Sequence, residues 1–429
     1  MKNSTISRLA TGCGAGALLV AGLSVATVAE AKVETCRGIN ATLVGTPGLP
    51  LAGTADRDVM VTNGASVVSA LAGDDLICVT GGTPYVDAAA GGDTVDAVGS
   101  GGAAVTAYLG QGEDRFFGGP GADTVTTFGV AATNDDDPDT VLTYGGNDVV
   151  VSGAPSQPNG DTIDLGDGDD AVDFKGSEAL RAGAVAGGLG YDLVYFDLSG
   201  KGDWILNNTN GVGRRGDRNI LNWTSMEKFD LIPTEGTFQF LGSDAAETLD
   251  ISDPATLTPH GRASVSMGAG NDFVTIDPET AIGSVYDGGL GTNTFVATSP
   301  ASTLSVDLTA GRFDVGDPST FGEAAVVNFK NATLTATSAT AKGSSDANRL
   351  LLRGCNLVGK GLKGKDYIEG SSGALACKPK ARFVGGKGHD KVIGTSGKDV
   401  LIGGKGTDKA DGRKNKDKCR AEKRKSCES

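Results

Sequence analysis

Histidine is nearly absent from this 429-residue chain, which holds only His260 and His389. That scarcity disfavours zinc and copper centres, which want nitrogen or sulfur ligands. No C-x-x-C pair is present either, so a thiolate metal site has no support. Aromatic residues make up 5% and apolar residues other than glycine 39%, a poor supply for a conventional globular core. No G-x-S-x-G, H-E-x-x-H or complete phosphate loop occurs, and Gly397-Lys398 runs into Asp399 where a phosphate loop requires Ser or Thr. These absences remove the easiest catalytic readings, and no catalytic residue is assigned.

Long apolar runs are missing from all but the first residues. Lys2 and Arg8 precede an apolar stretch from Leu9 to Val28, and Ala29-Glu30-Ala31 follows. This pattern predicts a signal peptide over 1–31, a mature chain starting near Lys32, and secretion. No later stretch could cross a bilayer. Cys13 leaves with the signal, and Cys36, Cys78, Cys355, Cys377, Cys419 and Cys427 remain, an even set in an exported protein. Pairing neighbours, 36 with 78, 355 with 377 and 419 with 427, is the assignment that keeps every loop local.

Glycine is what the chain has in excess, at 67 residues. It recurs at fixed offsets from Asp and from Val, Ile or Leu. Residues 385–420 divide without a gap into GGKGHDKVI, GTSGKDVLI, GGKGTDKAD and GRKNKDKCR. The same nine-residue frame fits LGQGEDRFF and GGPGADTVT from 109, NDDDPDTVL and TYGGNDVVV from 134, and SQPNGDTID and LGDGDDAVD from 156. Single copies include ALAGDDLIC, AAAGGDTVD, GGLGYDLVY, MGAGNDFVT and GLKGKDYIE.

These residues resemble the hemolysin-type, or repeats-in-toxin, family, whose nonapeptide is G-G-x-G-x-D-x-U-x with U a large aliphatic residue. The match covers about half of the mature chain. The opening CRGINATLVGTPGLPLAGTADRDVM also resembles, more weakly, the N-terminus of exported repeat proteins of high-GC Gram-positive bacteria. The resemblance implies a calcium-binding parallel β-roll.

The residues lead to the same expectation. Position eight holds one apolar side chain per repeat, such as Ile77, Val95, Phe116 and Val392, suited to point inward from a three-residue strand. The six residues before it make a glycine-rich turn. Two such half-coils make one coil of an all-β right-handed β-solenoid, and each repeat lies above the repeat two places earlier. Stacking then brings the position-six residues into columns: Asp75, Asp93, Asp114, Asp123, Asp139, Asp148, Asp161, Asp170, Asp192, Asp272, Asp366, Asp390, Asp399, Asp408 and Asp417. Adjacent carboxylates repel, and Ca2+ between them reverses the sign, because it accepts six to eight oxygen ligands in flexible geometry. Pro84, Glu247 and Asn293 stand at position six elsewhere and argue against uniform loading.

Charge divides the chain. Residues 1–341 carry 43 acidic against 16 basic side chains, net −27, and residues 342–429 carry 10 against 22, net +12. With the repeat pattern, this suggests acidic repeats over 32–195, an interrupted strand-rich region over 196–357 holding Trp204 and Trp223, and a basic β-roll with a cap over 358–429. Lys387, Lys398, Lys405, Lys414 and Lys416 sit among the C-terminal repeats, where they would either lower cation affinity or replace calcium by neutralising the aspartate column. The leading expectation is a secreted structural or adhesive calcium-binding protein without a nucleic-acid partner. Two alternatives stand beside it: a polysaccharide-active β-helix enzyme of lyase or epimerase type, and a basic module binding anionic cell-wall or extracellular polymers.

Overall fold

Every coil begins from the same local choice. A short β-prone triplet follows a turn whose glycines accept positive φ, so the chain extends for three residues and then bends. In the computed structural model the described residues are 33–428, apart from 83–84, 131–134, 155–156, 177–180, 200, 253–260, 278–282 and 317–322. The expected signal peptide, Pro84 and His260 lie outside them.

The triplets stack as a parallel right-handed β-solenoid of about 15 turns. Leu76–Cys78 pairs with Thr94–Asp96, which pairs with Arg115–Phe117, then Thr140–Leu142, then Thr162–Asp164. The opposite wall runs Tyr85–Asp87, Thr106–Tyr108, Thr124–Thr126, Val149–Ser152. The central residue of each triplet points inward, so Ile77, Val95, Phe116, Val141 and Ile163 lie in register in one column, each no more than 1% exposed. A coil this narrow admits one aliphatic layer per strand, which is why so little aromatic mass suffices.

The interrupted middle is built on the same solenoid. Coils widen at strands of four or five residues, and two inward positions replace one. Val172 and Phe174, then Val194 and Phe196, are buried in this way. The aromatic residues collect here, with Phe196 edge-on to Trp204 and Phe229 edge-on to both Trp223 and Phe240. Two antiparallel inserts break the parallel stack. Trp204–Asn207, Val212–Arg215 and Arg218–Thr224 form the first, and Thr294–Asp307, Arg312–Val315 and Glu323–Val327 form the second.

The inserts are copies of one design. Gly211 and Gly311 turn the hairpins at φ +60° and +66°. Thr209 Oγ1 donates to the Gly242 carbonyl at 2.9 Å, and Thr309 Oγ1 to the Gly343 carbonyl at 2.7 Å. Ser225 and Asn328 exit with φ +54° and +60°. The same GGLG turn precedes both inserts, as GGLGYD at 187 and GGLGTN at 288.

Both ends are closed. At the N-terminus Cys36 is bonded to Cys78 and fully buried, while Arg37 lies 3.9 Å from the Phe117 ring centroid and 2.6 Å from Asp96. At the C-terminus Cys419 takes an inward position and is bonded to Cys427, while Arg424, in register with the buried Ala410, is exposed. Cys355–Cys377 is the third bridge, so all three pairs join neighbouring cysteines.

Candidate metal centre

The position-six side chains form two-sided ladders beneath the turns. In each rung, one carboxylate oxygen accepts the backbone N–H of the position-six residue one coil earlier. Asp58 N–H donates to Asp75 Oδ1 at 2.7 Å, Asp75 to Asp93 at 2.8 Å, Asp93 to Asp114 at 2.6 Å and Asp114 to Asp139 at 2.9 Å. On the other wall Asp123, Asp148 and Asp170 donate in turn to Asp148, Asp170 and Asp192. At the C-terminal end Asp366 donates to Asp390, Asp390 to Asp408 and Asp399 to Asp417. A peptide N–H, rather than an empty gap, therefore separates successive carboxylates, and it offsets the repulsion expected from stacking them.

The second oxygen is the anomaly. Oδ2 of Asp75, Asp93, Asp114, Asp139, Asp148, Asp170, Asp192, Asp272, Asp366, Asp390, Asp408 and Asp417 is buried with no hydrogen-bond partner. All twelve residues are at most 2% exposed. Buried polar atoms are rarely left unpaired, and a charged one costs more. Asp123, Asp161 and Asp399 differ. Gly119 N–H reaches Asp123 Oδ2 at 3.1 Å, Thr127 and Ser152 hydroxyls reach Asp161 Oδ2 at 3.0 and 2.7 Å, and Thr395 N–H reaches Asp399 Oδ2 at 2.6 Å.

Two turn conformations account for most of the difference. Asp139 keeps an unpaired Oδ2 without positive φ at positions two and four, Asp161 is satisfied by hydroxyls instead of its own turn, and Glu247 keeps Oε2 unpaired although Oε1 is capped. The first has positive φ at positions two and four, as in Gly386 and Gly388 before Asp390, or Leu71 and Gly73 before Asp75. In it the position-two N–H does not reach the carboxylate, and the stacked turns are joined by the N–H groups of positions three and four, as in Ala90 N–H to the Leu71 carbonyl at 3.2 Å and Gly73 N–H to the Ala90 carbonyl at 2.9 Å. The second keeps position two at negative φ, and its N–H caps the side chain four residues on. Thr54, Ser243, Ser344 and Thr395 do this for Asp58, Glu247, Asn348 and Asp399. Position two is Ser or Thr in all four, a G-[ST] signal that sequence reading missed, along with Asp58 itself. Arg413 and Asn415 hold the first conformation without glycine, at φ +67° and +75°. Arg413 is braced by its bond to the Gly370 carbonyl at 2.8 Å.

Asn293 shows what surrounds the unpaired oxygen. Its Oδ1 accepts Asp272 N–H at 2.9 Å, as an aspartate would. Its Nδ2, in the place of Oδ2, donates to the carbonyls of Gly288 and Asn328. These are the position-one residue of its own turn and the matching residue one coil on. Where Asp stands instead under a position-one glycine, Oδ2 faces oxygen; before Asp75, Asp93, Asp114, Asp148, Asp170 and Asp272 position one is Ala, Leu, Thr or Met. Beside the missing Cβ of Gly385 lie both Asp390 Oδ2 and the Gly403 carbonyl, and Gly361 faces Asp366 Oδ2 and the Gly385 carbonyl in the same way. An all-oxygen set beneath a glycine that leaves room is hard-cation chemistry. Among the described residues no three His, Cys, Asp or Glu side chains converge, so carbonyls and water would supply the other ligands.

The electrostatics agree. Burial pushes the carboxyls of Asp75, Asp170 and Asp272 up to about 6, Asp93 and Asp366 to about 7, and Asp114 to about 8. Burial and the nearby Asp161 and Asp114 push Asp139 to about 10. The lysines do not relieve this. Lys387, Lys398, Lys405, Lys414 and Lys416 are all exposed, none bonds the unpaired oxygens of Asp366, Asp390, Asp408 or Asp417, and Lys416 pairs with Glu428. His389 is structural, its Nδ1 accepting Thr407 N–H at 2.9 Å in the stacked turns.

The close stacking carries a prediction. Gly388 has φ +143°, and a Cβ there would overlap the Gly364 carbonyl, whereas Gly216 has φ +57° with open space around it. Gly388→Ala should destabilise the chain by about 3 kcal/mol or more, and Gly216→Ala by about 1 kcal/mol. Urea unfolding of the two variants would measure this, and equal losses would refute the steric demand of the stack.

No protein-family model matches the chain, and no curated protein is significantly similar to it.

Proposed function

We propose that this chain is a secreted calcium-binding solenoid with a structural or adhesive role, whose Ca2+ ions sit beneath the glycine turns. The observation that carries the reading is the row of buried, unpaired carboxylate oxygens, which lie beside backbone carbonyls at Asp192, Asp366, Asp390 and Asp417, with Asn293 supplying a donor where its amide stands in the same turn. In each site Asp Oδ2 and the two position-one carbonyls would hold the ion, and the ion would supply the positive charge that the site lacks. Magnesium fits less well, because it demands near-ideal octahedral geometry. The nonapeptide resemblance to hemolysin-type repeats supports the same reading, and the three disulfides support an oxidising compartment. No helix among the described residues is long and apolar enough to cross a membrane.

The pairing of Oδ2 sorts the fifteen aspartates. The twelve with an unpaired oxygen bind, and Asp123, Asp161 and Asp399 do not. Calorimetry and native mass spectrometry test this directly. Several ions per chain are expected, with bound calcium reduced by Asp390→Asn and unchanged by Asp399→Asn. A chain that takes up no calcium would falsify the reading.

A further inference from the structure

The basic end holds a surface that the calcium reading does not use. Of the ten acidic residues in 342–429, five lie buried in the ladders: Asp366, Asp390, Asp399, Asp408 and Asp417. Three more are engaged, Glu369 by Arg413, Asp411 by Lys425 at 3.2 Å and Glu428 by Lys416 at 3.4 Å. The surface is therefore more cationic than the net +12 of the segment.

On one wall the outward position-seven column reads Arg349, Tyr367, Lys391, Lys409, Lys423, in register from strand to strand. Parallel neighbours are about 4.8 Å apart, so the column is a straight row of cations along the solenoid axis. Tyr367 orders its start, with the Arg349 guanidinium 4.6 Å and the Lys391 ammonium 5.0 Å from its ring centroid. Lys391, Lys409 and Lys423 are exposed, and none forms an ion pair with a described residue. They flank a shallow groove of about 200 Å³ that also includes Ile393 and Asp411, whose carboxylate is paired with Lys425 at 3.2 Å. Like charges held one strand apart repel, and an anionic ligand along the row reverses that.

We propose that this wall binds a linear acidic polysaccharide with one carboxylate on each sugar ring, laid along the solenoid axis. Such a polymer carries one charge per ring, and a ring is about as long as one strand spacing, so the linear charge densities of row and ligand are close, while the groove and its lysine stems give the chain a surface to rest on. The proposal is independent of whether the turns hold calcium.

The test is calorimetry of the full chain with oligogalacturonates of increasing length, in calcium, with circular dichroism confirming the fold. Binding should strengthen with length, weaken with salt, and fall about tenfold or more in Lys391→Gln/Lys409→Gln/Lys423→Gln. Lys228→Gln changes the same column within the interrupted middle and should leave binding intact. Binding unaltered by the triple variant, equal binding of neutral dextran, or tighter binding of linear polyphosphate would each overturn the proposal.

Discussion

In chelator, the melting temperature of this protein should fall as pH rises from about 4 to about 8, and calcium should restore it at the alkaline end. Asp93, Asp114 and Asp366 titrate at about 7 to 8 in the folded chain, above the ordinary carboxylate value of 3.8. The folded state thus binds more protons than the unfolded state between those limits, and ∂ΔG/∂pH is negative there. Stability is fully present below the unfolded value and is lost as pH passes through the folded one. This is opposite to the usual acid denaturation of paired carboxylates. Water lies only one glycine layer from these groups, so each contributes on the order of 1–2 kcal/mol. Six of them (Asp75, Asp93, Asp114, Asp170, Asp272 and Asp366) then approach 10 kcal/mol, comparable with the whole stability of a typical domain. At about 2.1 cal/mol/K per residue this corresponds to a shift of about 10 °C. Calcium binds only the ionised form, so its stabilisation should be large at pH 8 and small at pH 5. Scanning calorimetry at both pH values, with and without calcium, gives the answer; a melting temperature that rises with pH in chelator would show that the ladder carboxyls are not destabilised by ionisation.

Replacing three rungs by their amides should change sign with calcium. In Asp366→Asn/Asp390→Asn/Asp408→Asn, each Nδ2 can donate to the position-one carbonyls as Asn293 does to Gly288 and Asn328. An unsatisfied buried acceptor is thereby exchanged for a satisfied donor, at about 1–2 kcal/mol per site. In chelator at pH 8 the variant should be more stable than the natural chain by about 3–6 kcal/mol. In calcium it should be less stable, because the ions bound by these rungs are lost. Denaturant titrations under the two conditions make a direct comparison. A variant destabilised in both would mean that the carboxylates are held by a bond that the structure does not show.

Much of this was legible without coordinates. The nine-residue frame placed Ile77, Val95 and Phe116 in one inward column and Asp75, Asp93 and Asp114 beneath stacked turns, because a period of nine with one strand per repeat leaves few other ways to bury the aliphatic residue. Neighbour pairing of the cysteines followed from the same locality. The two inserts were less visible. Their hairpin residues follow no nine-residue period, and alternating stretches such as SVDLTAGRFDV, which covers the second hairpin, pointed to strands without giving their antiparallel pairing.

The sequence by itself determined that the chain is a solenoid, which side chains face inward, and which carboxylates share a ladder, since all three depend on periodicity. Which oxygens of that ladder stay unpaired was decided only by the tertiary structure. Except at Asp139 and Asp161, that property follows the φ of the position-two residue, and it depends on groups one coil, not one repeat, away. Asp390 and Asp399 are identical in the frame and nine residues apart, yet Thr395 caps the second while Gly386 leaves the first facing oxygen. The same holds for the basic end. Its charge was countable, but burial of five aspartates and the alignment of Lys391, Lys409 and Lys423 along one wall arise from stacking alone.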